Sequence, residues 1–428
     1  MISLIEHFQY YNLTLNEEED AFLLSQSKGI YSRFFQDQQD YPCFSIIINE
    51  DESGSKSYRI ETSYYIGVDH ISRLGKNIQI EPKLNTANSE INVYKMLFEA
   101  MSDPENYKHL NGLYEINFDS KPILVKQKSD IITPFLLIQF IQILSVLVKK
   151  GLKKSYYRTT ENLDSKIKGK ILLNKNINVN VLKNNKTKTI CEFEVFGFDI
   201  PQNRFLKHVL KFVKSLLHKY PEDIRSVLVD LFNYIHPAFA TVSDQSYSKY
   251  DGKEKNPFYF EYNSLIEIGN LILKIQSFNT TKTDAELRQV PPYWIDMSKL
   301  FELYVFKKLR QLFPEKGEVI YHRKFLGGKE TDIIIKSKGF ECVIDCKYKP
   351  RYADVSASLE DYRQLAGYCR MKSIYNILNK PHSDVIKGVI IYSDQNAYEK
   401  FSKTELFTNS AYEYVDFYKL GIKLPLNE

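Results

Sequence analysis

The run TDIIIKSKGFECVIDCKYKP, Thr331 to Pro350, decides how the chain is read. Ser337-Lys338-Gly339 has the composition of a tight turn. The β-prone residues on either side, Asp332 to Lys336 and Glu341 to Lys347, then fold back on one another as an antiparallel hairpin. Side chains alternate across a strand, so Val343, Asp345 and Lys347 share one face, with Asp345 and Lys347 about 7 Å apart. Cys342, Ile344 and Cys346 take the other face and are expected to bury against a helix. The short turn brings Asp332 beside the Asp345 end of its partner. Two carboxylates and one ammonium thereby surround a common point.

Such a trio suits metal-assisted attack on a phosphodiester. Mg²⁺ prefers an octahedron of oxygens and keeps several waters. Asp332 and Asp345, with the backbone carbonyl of Cys346, are the expected ligands of one Mg²⁺, with Mn²⁺ as a substitute. Lys347 is placed to orient or deprotonate the attacking water and to offset charge on the phosphorane. A D…DxK spacing alone is weak, because these residues are common. Its neighbours strengthen it. Glu302 lies on a helix expected over Ser298 to Phe313, close to the apolar stripe through Phe306 and Leu309. A carboxylate there is costly unless it is paired or binds metal; the bland reading is a surface acid at the stripe edge. Gln364 and Tyr368 sit one turn apart on a helix expected over Leu359 to Met371. They could hold the water or a phosphate, or face solvent.

Working outward, 428 residues exceed one ordinary core and suggest two or three domains. Residues 1–125 are β-rich, with short runs at Cys43 to Asn49, Tyr58 to Gly67 and Asn77 to Glu81. Residues 126–290 are mainly helical, with Arg204 to Tyr220 repeating apolar residues at helical spacing. Residues 291–428 alternate helix and strand, ending with the buried-type strand Val385 to Tyr392. The fold class is α+β multidomain with a mixed sheet in the last part.

The five cysteines are scattered, odd in number and lack a CxxC pair, which fits a reduced, cytoplasmic setting and disfavours a zinc site at Cys342 and Cys346. The N-terminus, MISLIEHFQYYN, does not read as a signal peptide. Ile131 to Val148 carries no charge over 18 residues, near the lower limit for a membrane span. Its Pro134, Gln139, Gln142 and Ser145 favour a buried helix and no membrane partner. The net charge of +5 is uneven. Lys149 to Lys219 holds 17 Lys and Arg against 5 Asp and Glu, a local balance of +12. A polyanion such as double-stranded DNA suits that stretch, with Lys168, Lys170, Arg204, Lys207 and, further on, Tyr368 as weak candidate contacts. Solvated lysines on ordinary faces are the competing explanation.

The collinear motifs carry a resemblance. Gly67 with Asn77 to Leu84 (NIQIEPKL), Gly151 with Tyr156-Tyr157, and Lys168-Gly169-Lys170-Ile171 stand in order along the chain. Asp199, Asn203, Arg204, Leu206 and Lys207 follow, then Asp296-Met297 with Leu300-Phe301-Glu302. Together with the acidic hairpin they resemble the McrC family, the nuclease subunit of modification-dependent restriction systems. The resemblance implies a restriction-endonuclease-like C-terminal domain of the PD-(D/E)xK type, with Asp332, Asp345 and Lys347 as cleavage residues. It also implies an AAA+ GTPase partner that reads modified DNA, with residues 1–290 serving docking and stalk roles and stimulating that GTPase. Nuclease domains pairing during double-strand cleavage would fit. No GxxxxGK[ST] loop is present, so nucleotide hydrolysis is expected from the partner. Thr331 stands where the family's motif has Pro, which bears on turn geometry more than on metal binding. Two other readings remain: a self-sufficient nuclease of repair or transposition, and a non-catalytic activator of a GTPase.

Overall fold

A computed structural model describes all residues except 13–14, 37–41, 73, 86–88, 102–103, 111, 127–130, 218–221, 280–286, 326–329, 350–351, 353–356, 398–399, 412–413 and 428. The chain forms two compact units, one of residues 1–135 with 282–428, the other of residues 136–281.

The first unit begins with β structure, as its β-branched and aromatic runs dictate. One five-stranded sheet has the order Ile2–Ile5, Lys76–Glu81, Tyr65–Ile71, Tyr293–Asp296, Tyr114–Ile116. A four-stranded antiparallel sheet is built from Gln9–Tyr11, Lys56–Thr62, Pro42–Glu50 and Gly29–Phe34. Ile2, Ile78 and Ile80 of the first sheet and Phe44, Ile46 and Ile60 of the second share one core with Trp294. The indole N–H of Trp294 is donated to Asp69 Oδ2 at 3.1 Å, so the ring is buried without an orphaned donor. Tyr293–Asp296 comes from the stretch that the sequence places in the C-terminal domain, yet it inserts between two strands of the first sheet. The close approach explains Gly67, where a Cβ would lie 2.0 Å from the Tyr293 carbonyl oxygen.

The rest of this unit is a mixed sheet ordered Val319–Lys324, Glu330–Ile335, Cys342–Lys347, Lys387–Ser393, Phe417–Ile422. The first three strands run antiparallel and the last two join parallel. Helix Met297–Leu312 starts at Asp296, whose side chain accepts the Lys299 N–H at 3.0 Å. Helix Leu359–Cys369 starts at Ser358, which accepts the Asp361 N–H at 3.2 Å. Leu365 and Tyr362 of that helix pack with Val343 and Ile390 of the sheet. The apolar face that carries Val343 is therefore covered, and Asp345 and Lys347 lie at its end.

The second unit holds the helices Pro201–Leu216, Glu222–Ile235 and Glu261–Asn279. Tyr220, the expected end of the first of these, lies outside the described residues. A three-stranded antiparallel sheet of Ser155–Asp164, Lys188–Gly197 and Lys170–Ile171 interrupts the helical stretch. Ser155–Asp164 has no fully buried residue and few apolar ones, so its strand signal is weak, whereas Cys191, Phe193 and Val195 do alternate with Glu192 and Glu194 along its partner. Helix Ile132–Lys150 is the one described helix long and apolar enough to cross a membrane, and 83% of its apolar window is buried inside the protein. Burial of that kind fits a core helix.

Candidate active site

The hairpin register sets the geometry. Ile333 faces Ile344 and Ile334 faces Val343, which makes Asp332 the next residue opposite Asp345. The ladder opens there. The backbone N–H of Cys346 is donated to Asp332 Oδ2 at 2.7 Å instead, fixing that carboxylate beside the second strand. Lys347 Nζ lies 2.9 Å from Asp345 Oδ2 and donates to Gln364 Oε1 at 3.0 Å. Gln364 Nε2 in turn donates to the Tyr368 hydroxyl at 3.0 Å. The structure thus brings together Asp332, Asp345, Lys347, Gln364 and Tyr368. Gln364 reaches solvent, and Asp345 is only 1% exposed.

Asp361, which the sequence reading did not single out, holds Lys349 at 2.9 Å and stands 3.7 Å from Lys347. It also accepts the Tyr352 hydroxyl. This braces the end of the Asp345 strand against the Ser358-capped helix. The cue in the sequence was a second lysine, Lys349, two positions beyond Lys347, where the strand ends.

Glu302 arrives from helix Met297–Leu312. Its Oε2 lies 2.8 Å from His322 Nε2 and 3.3 Å from the Tyr321 hydroxyl. His322 Nδ1 lies 3.1 Å from Glu330 Oε1. Ligand atoms of Glu302, His322 and Asp332 all fall within 4.8 Å of one another. A cleft of about 360 Å³, lined by Phe35, Gln36, Asp296, Lys299, Glu302 and His322 among others, opens beside this trio. Sequence reading had no means to find His322. A lone histidine on a strand carries no periodic signal, and only the helix packing sets it against Glu302.

The electrostatics are those of crowded acids. Burial raises the Asp332 carboxyl well above its usual range, and the charges of Glu302 and Asp345 push the same way. Burial likewise raises Asp345 to about 6, against the pull of Lys347. For Lys347 burial disfavours the ammonium, but the Asp345 carboxylate outweighs it and the net shift is upward. Among the described residues, buried Asp345 Oδ1 has no hydrogen-bond partner. A buried carboxylate oxygen left bare in a group of acids is what a cation would satisfy.

The basic candidates lie elsewhere. Lys168 and Lys170 are exposed on the small sheet, with Lys168 Nζ 4.2 Å from the Phe193 ring centre. Arg204 and Lys207 are engaged internally. Arg204 grips Asp199 with two hydrogen bonds of 2.8 Å, and Ser243 adds its N–H and hydroxyl at 2.7 Å. Lys207 holds Asp244 at 3.1 Å and donates to the Val242 carbonyl. Asn203 bridges the carbonyls of Phe198 and Lys153 and accepts the Tyr262 hydroxyl at 2.5 Å. Those motif residues build the second unit, and each already holds an acid of this chain, Asp199 for Arg204 and Asp244 for Lys207. Counting lysines along the chain could not reveal this, because Asp244 stands 37 positions from Lys207.

The sequence matches the family described as McrBC 5-methylcytosine restriction system component over residues 60–377. The chain belongs to that family. None of the curated proteins matches it. Among solved structures it is similar to a chain of the refined half-complex of Thermococcus gammatolerans McrB AAA+ hexamers with bound McrC. There the identity is 15%, the match covers 99% of this chain and 94% of that one, and the TM-score is 0.40. A chain of the Thermococcus gammatolerans McrBC complex is 14% identical over 76% of this chain and 89% of that one, with a TM-score of 0.30. Membership rests on the match over residues 60–377, which spans the Gly67 crossing, the Asp199–Arg204 pair and the acidic hairpin.

Proposed function

We propose that this McrBC-family chain is the DNA-cleaving subunit of a cytoplasmic, modification-dependent restriction system, with its PD-(D/E)xK catalytic part following the Tyr293–Asp296 strand, which belongs to the first sheet. The reading is carried by the meeting of Asp332, Asp345 and Lys347 on one hairpin end, with a bare, buried oxygen on Asp345. That donor set fits Mg²⁺. Two carboxylates and the Cys346 carbonyl are hard oxygen ligands. Bound there, the ion supplies charge neutralisation at the scissile phosphate and a more acidic water.

The chain's own residues do the rest. Lys347, kept cationic by Asp345, faces the point where charge builds on phosphorus and offsets it. Gln364 holds the Lys347 ammonium and is itself held by Tyr368, so the lysine keeps its aim. Water loses a proton to solvent as it adds to phosphorus, the bond to the 3′ oxygen breaks, and that oxygen leaves taking a proton from a solvent water. No phosphate-binding loop for a nucleotide occurs in the sequence, so energy for translocation comes from a partner AAA+ GTPase. The small sheet of the second unit and the segments joining its strands favour a docking role, since Tyr156 and Phe196 on the strands and Ile167, Leu173 and Leu182 between them are all exposed.

The test is plasmid cleavage by the chain mixed with its partner GTPase, GTP and Mg²⁺. Asp345→Asn is expected to abolish cleavage, roughly 10²-fold or more as for loss of a key electrostatic group, while GTPase stimulation persists. Cleavage that survives the substitution would overturn the catalytic assignment. Cleavage of plasmid by the chain alone at low enzyme excess would instead make it self-sufficient.

A further inference from the structure

We propose that Glu302, His322 and Asp332 form a second cation position next to the Asp332–Asp345 pair, and that its imidazole selects a first-row transition dication such as Mn²⁺ over Mg²⁺. This rests on the nuclease reading only in that Asp332 serves both positions.

Three observations carry it. The first is the hydrogen-bond inventory of His322. Its Nε2 faces Glu302 Oε2 at 2.8 Å and its Nδ1 faces Glu330 Oε1 at 3.1 Å. A neutral imidazole has one N–H to give. With that N–H on Nδ1 and directed to Glu330, the Nε2 lone pair meets a carboxylate lone pair. Only a second proton or a cation between them resolves the contact. The Glu330 arrangement is the one that a ligating histidine adopts, its far N–H held by a carboxylate that fixes tautomer and ring orientation.

The second observation is the surroundings. Asp332 and Glu302 complete a three-ligand set whose donor atoms lie within 4.8 Å of one another. Ligands on opposite sides of an ion stand apart by about twice a bond of roughly 2.1 Å. Closing the set therefore takes a few tenths of an ångström. Asp345, buried at 1% exposure with a bare Oδ1, adds negative charge to the same crowd and has too little cation to answer it. The cleft lined by Glu302 and His322 gives an ion its way in.

The third is the backbone. His322 holds a φ of 45°, a conformation that L residues rarely adopt, at the point directly opposite Asp332 between the Tyr321–Ile333 and Arg323–Thr331 pairs. That turn of the chain is what aims the ring at Glu302 rather than along the strand.

Imidazole suits Fe²⁺, Ni²⁺ and Zn²⁺ best, whereas Mg²⁺ is held by oxygens; Mn²⁺ is the weakest binder of the first-row series and so the most stringent paramagnetic probe of a nitrogen ligand. The oxygen-only position at Asp345 and the nitrogen-bearing position at His322 are thus of different character.

The experiment uses the full chain without DNA and Mn²⁺ as the probe. Mn²⁺ binding is titrated by electron paramagnetic resonance, and pulsed measurements read nitrogen coupling from a ligated imidazole. The wild type is expected to show that coupling. His322→Asn, chosen because Asn tolerates positive φ, should lose it and bind Mn²⁺ at least about tenfold more weakly, with Mg²⁺ affinity little changed. Glu330→Gln should weaken Mn²⁺ by roughly 10–100-fold while keeping the coupling at saturation, as expected for a residue that orients a ligand. It also keeps the test standing if the His322 variant misfolds. Absence of coupling in the wild type, or its persistence in His322→Asn, overturns the proposal. Asp345→Asn separates the two readings: it should keep the nitrogen coupling yet lose cleavage. If the coupling follows His322 while Asp345→Asn still cleaves, this position stands and the nuclease assignment falls.

Discussion

The buried acids of the two units behave in opposite ways. In the second unit Asp199 sits among four donors from Arg204 and Ser243 and is held down at about 2, the hydrogen bonds outweighing burial. Glu254, paired with Lys153 at 2.6 Å, is likewise lowered despite its burial. In the first unit Asp345 rises to about 6 and Asp332 well above its usual range. Glu6, fully buried, rises to about 7 because burial outweighs its contacts with Lys83 and with the Tyr348 hydroxyl. Full satisfaction marks an acid that holds the fold together. Crowding without satisfaction marks one kept for another use. Asp199 and Asp345 are both buried aspartates close to a cation, and their surroundings separate them.

Substitutions can break or sharpen this contrast, and the largest effect is expected at Asp199. Asp199→Ala strips Arg204 of its partner and leaves the Ser243 donors without theirs. It should cost about 3 kcal/mol in denaturant unfolding at pH 7. The sign follows from its lowered value: the contribution is complete above the unfolded value near 3.8 and is lost as pH falls through about 2. A loss under about 0.5 kcal/mol would place Asp199 with ordinary surface acids.

Glu6→Gln should act in the opposite direction. A raised carboxyl binds its proton more tightly in the folded state, so the wild type loses stability as pH rises from about 4.5 through about 7. The amide removes that loss. Thermal unfolding at pH 8 is expected to show stabilisation of about 2 kcal/mol, shrinking toward none at pH 4. A gain that does not depend on pH would refute the burial argument. The smallest change is expected for Asp345→Asn in the metal-free protein, a gain of about 1 kcal/mol at pH 8. Removing a bare buried charge helps, but Lys347 loses its partner. Destabilisation instead would make Asp345 a structural acid like Asp199.

Much of the candidate site was legible in the sequence because it is local. The hairpin follows from a turn tripeptide and two β-prone runs. Alternation then sets Asp345 and Lys347 on one face, and the observed strands, Glu330–Ile335 and Cys342–Lys347, differ from the expected ones by a residue or two. The basic stretch was legible only as composition. Arg204 and Lys207 looked free for phosphate because their partners, Asp199 and Asp244, become partners only once the helix Pro201–Leu216 packs. His322 was invisible for the same reason, since its meaning lies in Glu302, twenty positions away. The small sheet of the second unit escaped because Ser155–Asp164 is mostly polar, and the alternation of Cys191, Phe193 and Val195 with Glu192 and Glu194 sits inside a stretch read as helical.

The Tyr293–Asp296 strand has a consequence for how the chain is made. The first sheet needs a strand that leaves the ribosome more than two hundred residues after Tyr65–Ile71, its neighbour. Until then, Tyr65–Ile71 and Tyr114–Ile116 keep unpaired ladder edges open to the wrong partner. A fragment cut before residue 293 is born with that gap permanently unfilled, and its misbehaviour in solution would reflect a missing plank rather than a missing function.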